Sequence, residues 1–237
     1  MTTTHQTTDS QTRPLPGRRA VAKGMAWAAP VVAASAATPA LAASCAPVTY
    51  TGAFTQADVY GDPPTSYTWT NADGDTITLA VSTSAYGGRI LAPNNLHSAG
   101  GIKEGYNGLG DLRDDGLLLQ HRDSSGGQVL TITFSEPVTD LTLTVADIDW
   151  LTRKYRDSVV LSPAPTTVSN GPAVQGGGTT SAPLTSRTNG EVNSSEPANR
   201  STVTYDGPVS SFTLDFSSTD GTTSQQIFLT DLTFTAC

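Results

Sequence analysis

Histidine is scarce in this chain, and the spacings that nucleophilic catalysis requires are missing. Three histidines occur among 237 residues, and of these only His97 and His121 follow the N-terminal segment. No serine stands in the Gly-x-Ser-x-Gly turn of hydrolases, since Leu96 occupies the first glycine position around Ser98. The sequence therefore predicts a protein without catalytic activity.

Long apolar runs are absent as well. The apolar stretch over residues 25–37 is interrupted by Pro30 and is shorter than the roughly 20 residues that cross a bilayer. It follows Arg18, Arg19 and Lys23 and precedes a box of small residues, which is the pattern of an export signal. We therefore expect a leader and no transmembrane segment.

The spacing of the basic residues in the leader resembles a twin-arginine signal of a Gram-positive bacterium, and an ordinary Sec signal is the alternative. The box of small residues predicts that the mature protein begins near Ala43 or Ser44. We predict an export signal over residues 1–43 and a single domain over residues 44–237, which is secreted to the outside or associated with the cell wall.

Cysteine is nearly absent. The two that occur, Cys45 and Cys237, lie at the two ends of the predicted mature domain. Export places this domain where disulfides form and persist, so we predict a Cys45–Cys237 disulfide. A lipid anchor at Cys45 is an alternative, although Leu41 stands one position too early for a lipoprotein signal.

Basic side chains are few. The chain has 13 Lys and Arg against 21 Asp and Glu, a net charge of −8, and four of the basic residues but one of the acidic ones lie in the predicted leader. The remaining domain is therefore strongly acidic. Such a surface repels nucleic acid and anionic membranes, and it is compatible with Ca²⁺ binding.

No amphipathic helix is evident after residue 43. Apolar residues instead alternate with polar ones at a period of two, the pattern of half-buried strands. Turn signals such as Asp73-Gly74-Asp75 and Glu136-Pro137 separate these segments. The sequence thus predicts an all-β fold, a single β-sandwich of the jelly-roll type. Its apolar faces include Ile77-Leu79-Val81, Leu130-Ile132-Phe134, Leu141-Leu143-Val145, Phe212-Leu214-Phe216 and Phe228-Leu232-Phe234.

Two stretches break this alternation. Residues 90–116 are rich in glycine, which predicts a long surface loop, and residues 163–200 are rich in Ser, Thr, Gly, Pro and Asn. For the second stretch we expect either a mobile excursion or weak edge strands joined by long loops. Neither stretch has the apolar content to build a second core.

The most informative polar residues follow the third apolar face. Alternation from Leu141 places Asp147 and Asp149 on the core side of the strand. A buried carboxylate is costly unless it is paired or bound to a metal. This conflict marks the segment as a candidate site.

Three arrangements would resolve the conflict. A bulge near Ala146 would turn Ile148 and Trp150 inward instead. A basic side chain from the segment 153–156 would pair with the acids. Alternatively, the two carboxylates would hold Ca²⁺ together with Asp157, through hard oxygen ligands. The sequence leaves all three open.

Aromatic side chains are the other common means of binding, because they stack on the apolar faces of sugar rings. Trp150 and Tyr155 are flanked by charged residues, and Trp69 is a further candidate. We predict ligand contacts at these three positions. Burial in the core is the alternative for each of them.

Two parts of the sequence carry a family resemblance. Residues 131–149 with 156–159, and residues 203–214 with 226–234, resemble the lectin-like β-sandwich domains of Gram-positive surface proteins and fibrillar adhesins. The resemblance covers about residues 115–235. It implies extracellular display and the binding of host or matrix partners.

These features predict a secreted or cell-surface, non-catalytic binding module for carbohydrate or extracellular protein. A structural or interaction module of the cell envelope without a small ligand is the alternative, and a glycan-active enzyme is the third hypothesis. Exposed aromatic side chains beside a groove would favour the first hypothesis, and facing carboxylates in a cleft would favour the third.

Overall fold

The strands predicted from alternation form the interior of the domain. A computed structural model describes residues 46–52, 54, 64–87, 90–91, 95–96, 116–122, 126–219 and 225–237. Within these ranges the regular structure consists of fourteen strands and one 3₁₀ turn, without an α-helix. The prediction of an all-β chain is confirmed.

The strands pair antiparallel throughout. The 3₁₀ turn, Pro197–Asn199, precedes the twelfth strand. In chain order the strands are Val48–Thr51 (β1), Ser66–Thr70 (β2), Thr76–Tyr86 (β3), Ile90–Leu91 (β4), Leu117–Arg122 (β5), Gly127–Ala146 (β6), Trp150–Leu151 (β7), Tyr155–Ser162 (β8), Thr167–Asn170 (β9), Val174–Gln175 (β10), Leu184–Ser186 (β11), Ser201–Tyr205 (β12), Val209–Ser218 (β13) and Gln225–Ala236 (β14).

Strand β6 organises the sheet because its two halves have different partners. The first half pairs with β3 and β13, and the second half pairs with β12 and β14. The sheet therefore curls, and its strands enclose one apolar core. The predicted turn at Glu136-Pro137 is wrong, since β6 continues through it. Asp140, with a φ of 51°, lies where the strand changes partners.

The apolar faces predicted from alternation are buried. The three residues of the β3 face are at most 3% exposed, and so are those of the second half of β6. Strands β13 and β14 contribute Phe212, Phe216 and Phe234, each at most 1% exposed. Burial of such side chains is the main source of stability in a domain without helices.

Trp69 belongs to this core, which corrects its prediction as a ligand contact. Its side chain is 6% exposed, its indole stacks on Phe234 with ring centroids 5.5 Å apart, and Phe54 meets it edge-on at 5.7 Å. The backbone of Gly52 lies against the face of the indole, so closely that a Cβ there would overlap the ring. Trp69 therefore packs inside the domain.

Residues 163–200 form edge strands, as one of the two alternatives predicted. Strand β9 pairs with β12 at the edge of one group of strands. Strands β10 and β11 extend the other group beyond β8. The connection that follows β11, residues 187–196, returns across the end of the domain and contributes to the candidate site described below.

Several sequence predictions lie outside the described residues. They concern the export signal over residues 1–43, most of the surface loop over residues 90–116, and Cys45. These stay predictions, and so does the Cys45–Cys237 disulfide. Residues 46–237 form one compact unit. None of the described segments forms a helix long and apolar enough to cross a bilayer.

Candidate functional site

The chain leaves its strand geometry directly after β6. Asp147 has a φ of 70°, in the left-handed region that aspartate tolerates better than most residues. The register changes here, so that Ile148 is fully buried in the core while Asp147 and Asp149 line a cavity. The predicted inward turn of Ile148 is therefore observed, although Trp150 is half-buried and both acids remain inside the domain.

This cavity has a volume of about 230 Å³ and is polar. Four carboxyl groups and three glutamine side chains line it, together with residues 192–194. None of the described lining residues is basic. We call it the acidic cavity; its carboxyl groups belong to Asp147, Asp149, Asp157 and Glu191, and its glutamines are Gln120, Gln225 and Gln226.

Asp157, on β8, is the most deeply buried of the acids at 1% exposure. Its Oδ2 accepts a hydrogen bond from the backbone N–H of Asp149 at 3.1 Å, whereas its Oδ1 has no hydrogen-bond partner. Burial raises the pKa of Asp157 well above its usual value, and the neighbouring charge of Asp149 raises it further.

Asp149 holds the segment 191–194 against the cavity. Its Oδ2 accepts hydrogen bonds from the backbone N–H of Val192 at 3.2 Å and from the hydroxyl of Tyr155 at 3.4 Å. Burial raises the pKa of Asp149 to about 6, although these hydrogen bonds lower it. The segment after β6, strand β8 and the loop that contains Val192 thus meet at this one carboxyl group.

Asp147 is held by two neutral amides. Asn199 donates to its Oδ1 at 3.4 Å, and Gln226 donates to its Oδ2 at 3.2 Å. Burial is the largest cause that raises the pKa of Asp147 to about 8, and the charge of Asp149 is the second. Hydrogen bonds from amides satisfy the oxygens but do not neutralise a charge, so this carboxyl group keeps its proton at neutral pH.

The aromatic residues predicted to contact ligand have different positions relative to the cavity. Tyr155 lines the acidic cavity through its hydroxyl on Asp149. Trp150 lies beside the cavity, because it is bridged to Gly190, the residue before Glu191. The predicted pairing of Arg156 with the acids is not what the contacts show: its guanidinium carbon lies 4.8 Å from the centroid of the Trp150 ring.

Sequence reasoning missed most of the residues that line the cavity. Glu191 and Asn193 lie in a loop without periodicity, so nothing in the local pattern relates them to β6. Gln225 and Gln226 begin an otherwise apolar strand. A polar pair at this position was the signal that could have identified them as part of a site. Gln225 is 2% exposed, and neither its amide oxygen nor its amide nitrogen has a hydrogen-bond partner.

The arrangement of the acids bears on the Ca²⁺ prediction. In the described ranges, no group of three His, Cys, Asp or Glu side chains is placed to hold a metal ion. The carboxyl oxygens of Asp147 and one oxygen of Asp149 are already occupied by protein donors. Ca²⁺ binding at Asp147, Asp149 and Asp157 stays a prediction.

Comparisons with known proteins identify no family. No protein-family model matches the chain, and no match was found among curated proteins. One solved structure, described as the structural basis for the promiscuous specificity of carbohydrate-binding modules from the β-sandwich superfamily, is 9% identical and has a TM-score of 0.22. The matched region covers 79% of this chain and 74% of the other chain. A likeness at this level supports no conclusion about function.

Proposed function

We propose that the protein is an exported, non-catalytic module that binds carbohydrate in the acidic cavity of a jelly-roll-like β-sandwich. The observation that carries the proposal is the excess of hydrogen-bond acceptors in the cavity. Four carboxyl groups face it, and Asp157 keeps one buried oxygen without a partner. Sugar hydroxyls both donate and accept hydrogen bonds, so they can pair with carboxyl groups in either protonation state.

The size of the cavity limits the ligand. At about 230 Å³ it is somewhat smaller than the roughly 300 Å³ at which typical small-molecule sites begin. It therefore accommodates one sugar unit, at the end or on a branch of a longer chain. Tyr155 and the neighbouring Trp150 provide aromatic surface at its margin. The extracellular glycans of the cell envelope or of a host are the sources that an exported module would meet.

Ca²⁺ is the alternative occupant of the same cavity. The acids Asp147, Asp149 and Asp157 supply oxygen ligands of the hard type that Ca²⁺ prefers. A metal that binds the native state alone raises thermal stability by mass action. If Ca²⁺ is the occupant, chelator lowers the melting temperature, and Asp149→Asn abolishes the difference between the two conditions.

A glycan-active enzyme is the second candidate function. The observation that favours it is the separation of two pKa values in one cavity, about 8 for Asp147 and about 6 for Asp149. Glycosidases use such a pair as general acid and as base or nucleophile. Incubation with labelled oligosaccharides distinguishes the two functions, since an enzyme produces new reducing ends and a binding module does not.

A glycan array tests the proposed function. We expect the domain over residues 44–237 to bind a restricted set of glycans, and Asp157→Asn to lose this binding. Asp206→Asn is the matched control, because Asp206 is an exposed acid outside the cavity. An array without any bound glycan would contradict the proposal and favour a structural role in the envelope. Equal binding by the two variants would place the glycan elsewhere on the domain.

A further inference from the structure

No basic side chain among the described lining residues accompanies the four carboxyl groups of the acidic cavity. Asp147, Asp149 and Asp157 are each at most 7% exposed, and the exposed Glu191 adds a fourth acid at the rim. The donors that reach these acids are neutral amides, a phenol and backbone N–H groups, and the side chains of Asp149 and Asp157 share a hydrogen bond. A carboxylate that is buried without a counter-charge is unfavourable. A ligand with a positive charge would supply what the cavity lacks.

Unpartnered polar atoms point to the same kind of ligand. Oδ1 of Asp157 and Oε1 of Gln225 are both buried acceptors without a hydrogen bond, and both residues line the cavity. An ammonium group has three donors and no acceptor, so it suits a cavity that holds unpartnered acceptors. Nε2 of Gln225, which also lacks a partner, remains to donate to a ring or hydroxyl oxygen.

An organic cation fits these features better than a metal ion. Ca²⁺ needs six to eight oxygens at about 2.3–2.6 Å, and no group of three acidic or histidine side chains among the described residues is placed for metal binding. The volume of about 230 Å³ instead has room for a sugar ring that carries the charged group.

We propose that the acidic cavity selects glycans whose sugar carries a free, protonated amine, that is, amino sugars that are not N-acylated. The inference rests on the proposed function and names its ligand class. The amine would bind at Asp157 and Gln225, and the acids Asp147, Asp149 and Glu191 would provide the surrounding negative charge. An N-acetyl group at the same position removes the charge and two of the donors, and it adds bulk.

The titratable groups that face this position are the four acids and Tyr155. Burial raises the pKa of Asp147 to about 8 and that of Asp149 to about 6, so the unliganded cavity retains protons that a cation would displace. Affinity should therefore rise from pH 5 to pH 7. It should fall again above about pH 8, where an amine with an ordinary pKa loses its charge.

Calorimetric titration with two matched oligosaccharides tests the selectivity. The probes are β-1,4-linked trimers of glucosamine and of N-acetylglucosamine, titrated into the domain with chelator present. We expect the free-amine trimer to bind at least tenfold more tightly. Glu191→Gln, at an exposed position, and the buried Asp157→Asn should each weaken this binding, while Asp206→Asn should leave it unchanged. Trilysine serves as a control for general attraction between an acidic protein and a cation.

The outcomes distinguish a failure of the amine selectivity from a failure of the glycan-binding function. Equal affinity for both trimers would overturn the selectivity for amines and leave the glycan-binding function intact. If trilysine binds as tightly as the free-amine trimer, the affinity comes from net charge alone, and the selectivity for amino sugars is overturned. Binding of neither trimer, together with a saturable Ca²⁺ signal that Asp157→Asn removes, would overturn both proposals in favour of a metal site.

Discussion

The backbone N–H of Asp149 donates to Oδ2 of Asp157 at 3.1 Å, and the backbone N–H of Asp157 donates to the carbonyl oxygen of Asp149 at 3.0 Å. This reciprocal pair fastens the segment after β6 to β8. It also holds two acidic side chains close together inside the domain, where, in addition to burial, the charge of Asp149 raises the pKa of Asp157 and a hydrogen bond from the Asp157 side chain lowers the pKa of Asp149. The acidic cavity is therefore part of the framework of the fold.

Stability should decrease as the pH rises. The pKa of Asp147 is raised from an unfolded value of about 3.9 to about 8 in the native state, so the native state binds more protons throughout this interval. Stability from this group is fully present below pH 4 and is lost as the pH rises through 8. We expect the free energy of unfolding of the unliganded domain to fall by at least about 1 kcal/mol between pH 5 and pH 8.

Urea unfolding at a series of pH values measures this slope. Asp147→Asn should make the slope shallower, because the amide does not titrate while Asp149 and Asp157 still do, and Asp206→Asn should leave the slope unchanged. A domain that becomes more stable toward pH 8 would show that the acids are paired with a cation in the native protein.

Position 52 should tolerate no side chain, because Gly52 lies against the indole of Trp69. Gly52→Ala places a methyl group where the indole lies, and we expect a loss of about 1–3 kcal/mol of stability from overpacking. Gly207→Ala is the control, because a Cβ at Gly207 meets no atom within 4 Å. Thermal unfolding compares the two, and an unchanged melting temperature for Gly52→Ala would contradict the placement of Trp69.

The alternation of apolar and polar residues predicted the strands well, because it indicates which face of a strand is buried. It assigned the interiors of β3, β6, β13 and β14 without knowledge of the partners. It could not show that β6 runs through Glu136-Pro137, since the same residues favour a turn when no neighbouring strands are present. Tertiary pairing decides between these two outcomes.

The site was predictable in part. Asp147, Asp149 and Asp157 could be singled out because carboxylates that continue an apolar face conflict with burial. Glu191 and Gln225 could not, because they come from distant segments that only the folded domain brings together. Trp69 was assigned to a ligand because an aromatic residue between polar neighbours has the same local sequence in the core and at a surface.

Strands β1 and β14 bring the two ends of the domain together, since Val48 pairs with Ala236. We predict on this basis that Cys45 and Cys237 form a disulfide in the secreted protein. Mass spectrometry without reduction should find the chain two protons lighter than the reduced form. Reduction should cost roughly 4–5 kcal/mol of stability in the chain-entropy model. Two thiols that react with an alkylating agent in the native protein would refute the bond.

The predicted export signal over residues 1–43 can be checked by N-terminal sequencing and by secretion assays. The secreted protein should begin near Ala43 or Ser44, where the small-residue box ends. Replacement of Arg18 and Arg19 by lysine should stop export by a twin-arginine route, whereas an ordinary Sec signal would tolerate the change. A lipid on Cys45 would contradict both free secretion and the disulfide.

The central claim is that the acidic cavity is a carbohydrate site. Binding of the glucosamine trimer to the domain over residues 44–237, measured side by side for the native sequence, Asp157→Asn and Asp206→Asn, tests it most directly. The account predicts saturable binding that Asp157→Asn reduces at least tenfold and that Asp206→Asn preserves. Equal affinity of all three proteins would contradict it, because the ligand would then bind without the cavity.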